Sequence, residues 1–206
     1  MNRKRLLTFA LLSLFAAHAR AQDDPSGAPA VDSAAVARKL SSRSPVERRT
    51  AAEELARLAS VEHRRLAEGY RAQEKDSRVK LALDWALYRM GKNENLFPLV
   101  RALGEKRQAE QAVGYLRQLE GPDPLYVFLN RVNGNTQIRL LEVLASVGDR
   151  DTLDRLRPFA ESLDPGIADA AKFAEREINI RLEEAPAAEP KRQRKVGSVD
   201  ETQPPA

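Results

Sequence analysis

The chain has 206 residues, no cysteine and two histidines, with 34 Lys plus Arg against 30 Asp plus Glu. Zinc sites built from Cys and His need three or four such ligands, so they are excluded, as are a disulfide framework and Cys–His nucleophilic chemistry. The positive excess lies within residues 1–21, which carry Arg3, Lys4, Arg5 and Arg20 and no acid. The remainder is balanced, so net charge supplies no argument for a nucleic-acid partner.

Arg3, Lys4 and Arg5 precede an apolar run from Leu6 to Ala17, and Ala19-Arg20-Ala21 offers a small-x-small cleavage site. Such a run reaches only about 18 Å as a helix, short of a hydrocarbon core of about 30 Å. Residues 1–21 are therefore expected to be a cleavable secretory signal, giving a periplasmic or secreted protein with no transmembrane anchor after cleavage. No Cys follows for lipid attachment. Residues 22–31, rich in Asp, Pro, Gly and Ala, read as a flexible leader.

From residue 32 to 184 the apolar spacing is helical and no alternating strand pattern occurs. It predicts a short helix over 33–41, then pairs at 45–58 with 61–73, 77–90 with 94–103, 107–119 with 124–132, and 136–147 with 151–161. A longer helix over 166–183 closes the domain. Ser44-Pro45-Val46-Glu47 combines an N-cap Ser, Pro at the first helical position and a capping-box Glu. Asp123-Pro124 and Asp164-Pro165 repeat the N-cap plus Pro device, while Gly104, Asn133-Gly134 and Gly148 mark helix ends and turns. Each helix is too short to be stable alone in water, so the apolar stripes must bury one another. Residues 185–206 contain four prolines and almost no large apolar residue, and are expected to be a disordered tail.

A phrase Leu-x-x-apolar, usually followed by Gly, recurs about every thirty residues. Its copies are Leu55 with Leu58, Leu87 with Met90 and Gly91, Leu116 with Leu119 and Gly121, and Leu144 with Val147 and Gly148. A fixed period of that size implies stacked supersecondary units. The second and fourth pairs match without a gap at an offset of 57 residues: Leu87, Met90, Gly91, Leu96 and Leu99 align with Leu144, Val147, Gly148, Leu153 and Leu156. Val79, Ala82, Leu83, Ala86, Leu87 and Met90 form one buried helix stripe, and Ile167, Ala170, Ala171, Ala174 and Ile178 repeat much of it.

Asp76-Ser77-Arg78-Val79-Lys80, Ala82, Ala86-Leu87, Gly91 and Pro98-Leu99 resemble the HEAT-repeat family, especially its short, phycobilisome-lyase-type HEAT-like repeat. Asp164-Pro165-Gly166-Ile167 with Ala170-Ala171 carries the first half of that phrase again. The resemblance covers roughly 42–183; Val46 is one place out of step and Gln108 stands where Val is expected. It implies an all-α fold over 32–184, a right-handed α-solenoid of stacked antiparallel helix pairs, with armadillo-like or tetratricopeptide stacking as the alternative.

In such solenoids the second helix of each pair lines the concave face where partners dock. By position that face would draw on Tyr70, Arg101, Tyr126, Arg131 and Arg155, alongside His63, Arg64 and Arg157. Aromatic plus Arg is the composition of interface anchors. The competing reading of each is a solvated helix face with arginines paired to nearby acids. Trp85, on the flank of its stripe, reads as the cover of a seam between repeats, and His63 as an exposed structural histidine. In the tail, Lys191, Arg192, Arg194 and Lys195 form a basic cluster that would suit an anionic envelope component, or merely aid solubility.

No catalytic residue, metal ligand or cofactor motif is marked; a Gly-x-Ser-x-Gly elbow, for example, is missing. The expected function is an exported, non-catalytic protein–protein interaction scaffold or adaptor with an unidentified protein partner in the cell envelope. The alternatives are a lyase or chaperone-like accessory protein, as the resemblance to bilin-lyase repeats implies, and a nucleic-acid-binding HEAT-like protein.

Overall fold

A computed structural model describes residues 32–184 of the chain. The expected secretory signal at 1–21, the expected leader at 22–31, and the expected tail at 185–206 with its Lys191, Arg192, Arg194 and Lys195 cluster lie outside the described residues. The elements are α1 (Ser33–Arg38), α2 (Pro45–Leu58), α3 (Arg64–Gln73), α4 (Ser77–Arg89), α5 (Leu96–Ala102), α6 (Ala109–Leu116), α7 (Asp123–Tyr126), α8 (Gly134–Val147), α9 (Arg150–Ala160) and α10 (Pro165–Glu184). Short 3-10 turns follow α1 (Lys39–Ser41) and lead into α3 (Val61–His63) and α5 (Asn93–Asn95). The described residues contain no strand.

Local chemistry sets the helix starts, though not always by the expected route. Asp76 accepts from the N–H groups of Arg78 and Val79 at 2.9 and 3.1 Å, and Asp164 from those of Gly166 and Ile167 at 2.9 and 3.3 Å. Ser44 caps α2, but the predicted capping box does not close: Ser42 Oγ donates to Glu47 at 2.5 Å and accepts from the Ser44 N–H at 3.1 Å. Ser42 thus takes both groups the box would have joined. Asp123 makes no side-chain cap and is itself the first residue of α7. The one complete capping box among the described residues is at α9, where Asp149 and Thr152 satisfy each other's backbone N–H.

The third pair departs most from expectation. α6 and α7 have eight and four residues, and the chain from Val127 to Arg131 continues as turns. Apolar spacing alone cannot distinguish a continuing helix from a run of tight turns that buries the same residues, here Leu125, Phe128 and Leu129.

Helices that meet are near neighbours in the chain. α2 packs on α4, α4 on α6, α6 on α8 and α8 on α10, while α3 and α5 cover α4 and α9 covers α10. The stripe Val79, Ala82, Leu83, Ala86, Leu87 and Met90 is buried throughout, as are Ala170, Ala171, Ala174 and Ile178 of α10. Val46, the out-of-step residue, is 62% exposed. α4 has neighbours on both sides, so Leu81, Trp85 and Asp84 are buried too. The Asp84 carboxylate meets the Arg71 guanidinium from α3 and accepts from Asn95 Nδ2 at 2.6 Å, ahead of α5. A buried charge persists only when so paired.

Trp85 lies at the seam between α4 and α6. Its ring stacks on Tyr115 of α6 with centroids 5.7 Å apart and planes 3° from parallel, and on Tyr88 at the same separation. The Tyr115 hydroxyl donates to Glu53 Oε1 of α2 at 2.7 Å and accepts from Gln111 Nε2 at 2.6 Å, so α2, α4 and α6 are tied at this point.

Candidate interaction surface

The surface is built on α5 and α7. Leu96, Leu99, Val100 and Ala102 of α5 turn into the core, leaving Phe97 and Arg101 one turn apart on the outer side. Pro98 is tolerated because the first turn of a helix needs no N–H there. Phe97 is 61% exposed, and its ring centroid lies 6.4 Å from that of Phe128, which is itself buried. Next to Phe128 in the chain, Val127 is 49% exposed. Arg131 is exposed one tight turn later, its N–H donating to the Phe128 carbonyl at 2.9 Å.

Tyr126 and Arg155 come together as a pair. The Arg155 guanidinium sits 4.1 Å from the centre of the Tyr126 ring, a cation–π contact between α7 and α9. The Tyr126 hydroxyl lies 2.7 Å from Thr152 Oγ1 and donates to Asp149 Oδ1 at 3.1 Å, so it completes the cap of α9. Burial raises the Tyr126 phenol above its ordinary value, and the neighbouring Asp149 carboxylate adds to this against the Thr152 hydrogen bond. Burial also pushes Asp149 upward, but the hydrogen bonds from Thr152 and Tyr126 outweigh it and hold the carboxyl below its usual range.

Of the sequence-predicted residues, Tyr126 and Arg155 are brought together, while Arg101 lies one helical turn from Phe97 and Arg131 one tight turn beyond Phe128. Tyr70 does not share their surroundings. It lines a cavity of about 350 Å³ with Leu40, Ser41, Arg48, Gln73, Glu74 and Lys75. Arg48 and Glu74 pair there in a two-pronged contact, Nε–Oε2 at 2.8 Å and Nη2–Oε1 at 2.9 Å.

Sequence reading missed Phe97. It sits within the apolar run Leu96-Phe97-Pro98-Leu99-Val100 and reads as core, yet the i, i+3, i+4 spacing of Leu96, Leu99 and Val100 already leaves position 97 off the stripe. His63 corrects another expectation: its side chain is only 18% exposed, with Nε2 3.2 Å from Ser33 Oγ and 3.7 Å from Glu62 Oε1. Serine and carboxylate approach the same ring nitrogen, which is not the arrangement of a relay, where the acid orients the opposite nitrogen.

A cavity of about 660 Å³ opens along the interhelix turns, lined by Tyr88, Arg89, Asn93, Glu120 and Asp123 among others. Its mixed charges specify no ligand. No protein-family model matches the chain, and no curated protein matches it.

Proposed function

We propose that the protein is an exported, non-catalytic interaction scaffold, a right-handed α-solenoid of short HEAT-like repeats whose second helices present a concave docking face to a protein of the cell envelope. The architectural part of this reading is supported by the order of packing, in which successive first helices meet in turn, and by the match between the second and fourth pairs. Export rests on the basic and apolar residues of 1–21.

The observation that carries the docking role is Phe97, a large aromatic left 61% exposed beside Phe128, with Arg101 one helical turn away. An exposed aromatic beside Arg is the composition from which interface anchors are drawn. The test places a photo-crosslinking amino acid at position 97 and, separately, at the exposed first-helix position 172, in the native host. Adducts with a discrete envelope protein from position 97 and none from position 172 are expected. The reverse pattern, or no adduct from 97, refutes docking on the second helices.

A further inference from the structure

The polar ties of this fold divide it in two. Within residues 32–119, Arg48 pairs with Glu74, Asp84 holds both Arg71 and Asn95, and Gln111 Nε2 donates to the Arg78 carbonyl at 3.0 Å. With the Tyr115–Glu53 hydrogen bond, these contacts fasten α6 to α2 and α4. Further along the chain, Tyr126 meets Asp149 and Thr152, Gln137 Nε2 donates to the Leu129 carbonyl at 2.9 Å, and Arg181 donates to the Ala145 carbonyl at 2.7 Å. These contacts fasten α7 to α9, the turns after α7 to α8, and α8 to α10. No hydrogen bond or salt bridge among the described residues joins 32–119 to 120–184. The third helix pair is split: its first helix belongs to one body and its second to the other.

The two bodies meet through packing alone. The Phe97 ring lies beside Phe128, α5 and α6 pack on α8, and Gly104 leaves no room for a Cβ beside Thr136. Apolar attraction is non-directional, whereas hydrogen bonds weaken steeply when bent. A seam held by packing alone therefore permits sliding that the tied bodies resist. The chain crosses between them at Glu120-Gly121, and a Cβ on Gly121 would meet no atom within 4 Å. Space surrounds the crossing. The cavity of about 660 Å³ is lined by Tyr88, Arg89 and Asn93 of the first body and by Glu120, Gly121 and Asp123 at the crossing. Two more, of about 480 and 380 Å³, are lined jointly by Arg117, just after α6, and by residues of α8 and α10.

We propose that the protein hinges at Glu120-Gly121, with residues 32–119 and 122–184 moving as rigid bodies past one another along the α6–α8 seam. Hinges of this kind let a few loop residues absorb the change in backbone angles while packed helices slide by small amounts. The hinge stands independently of the docking reading. Phe97 and Phe128 lie in different bodies, so the motion alters the surface around Phe97, and a partner bound across both would hold one arrangement.

The chain has no cysteine, so pairs of labelling sites can be introduced without background. Nitroxide labels are placed at exposed positions of the full chain, and distances are measured by pulsed electron paramagnetic resonance. Arg65→Cys/Glu110→Cys reports on the first body, Arg150→Cys/Lys172→Cys on the second, and Glu110→Cys/Lys172→Cys on the joint between them. Arg65→Cys/Arg176→Cys repeats the measurement across the joint, and circular dichroism checks the helix content of each variant. A single narrow distance is expected within each body. Across the joint, the distribution should be at least about twice as wide or show two distances. Equally narrow distributions across the joint overturn the proposal. Equal breadth within either body overturns it too, because the softness would then be general rather than confined to a hinge.

Discussion

Ala59 and Gly91 hold the same place in two successive helix pairs, and both adopt left-handed backbone, with φ of 48° and 91°. Each lets the following N–H reach back to a helix carbonyl, Ser60 to Leu55 at 3.3 Å and Lys92 to Leu87 at 3.0 Å. The recurrent Gly of the thirty-residue phrase is thus a helix stop in the second pair, and the first pair makes the same stop with a residue that bears a steric cost for it. Left-handed backbone costs a side-chain-bearing residue about 1–2 kcal/mol, partly offset by the chain entropy Gly loses on folding. Ala59→Gly is expected to stabilise the fold by about 0.5–1 kcal/mol, and Gly91→Ala to destabilise it by a similar or larger amount. Urea unfolding midpoints at constant slope decide this; a lower midpoint for Ala59→Gly refutes the strain argument.

Gly148 closes another copy of the phrase for a different reason. Its φ is −65°, but a Cβ there would lie 2.5 Å from the Leu144 carbonyl oxygen and 2.6 Å from Ile178 Cδ1. Gly148→Ala should cost about 1–3 kcal/mol through displacement of α10 from α8. A Cβ at Gly121 would instead meet no atom within 4 Å, so Gly121→Ala should leave thermal stability within about 1 kcal/mol of the parent. Equal effects at the two glycines would contradict the close-approach explanation.

The Arg48–Glu74 pair should make stability depend on acid. The hydrogen bond from Arg48 is the main cause holding the Glu74 carboxyl below its ordinary value, opposed by burial and assisted by the N–H groups of Asp76 and Lys75. A depressed folded-state pKa means the contribution is fully present above the ordinary Glu value and is lost as pH falls through that value towards the folded one. Glu74→Gln should therefore cost about 1–3 kcal/mol at neutral pH. The difference from the parent should shrink in unfolding curves taken below about pH 4. A difference that stays constant with pH would assign the loss to packing instead.

Trp85 should report on the seam it fills. Trp85→Ala removes a buried ring stacked on Tyr115 and Tyr88 and is expected to cost about 3–5 kcal/mol. Trp85→Phe, which retains an aromatic ring, should recover part of that loss. Calorimetry on both variants is sufficient, and a loss under about 1 kcal/mol for Trp85→Ala would rule out a seam role.

Tyr126 separates folding from the proposed docking. Tyr126→Phe deletes the hydroxyl that meets Thr152 and Asp149 while keeping the ring under Arg155. About 1 kcal/mol of stability should be lost, with crosslinking from position 97 little changed. A variant that keeps its melting temperature yet loses the crosslink would reverse that division.

Helix positions along this chain were legible because they depend on neighbours within a turn or two. Asp76 and Asp164 cap the N–H groups two and three residues onward, and the α4 stripe repeats at helical spacing, so both can be read from consecutive residues. The same reading placed Tyr70, Arg101, Tyr126 and Arg155 on helices, where they lie, but its helix over 124–132 stops at Tyr126 and Arg131 falls in the tight turns beyond. Contacts that cross between helices were not legible. Nothing near Trp85 in the chain announces Tyr115, nothing near Asp84 announces Arg71, and Tyr126 finds its partners Thr152 and Asp149 only when α9 folds beside α7. Phe97 shows the division most clearly. Its spacing put it off the stripe, but whether α3, α9 or open solvent lay over it depended on how the short third pair packed, and the fold left it exposed. Local hydrogen bonding and periodicity act through sequence neighbours; burial depends on the sum of all helices at once, and so does the availability of a surface to a partner.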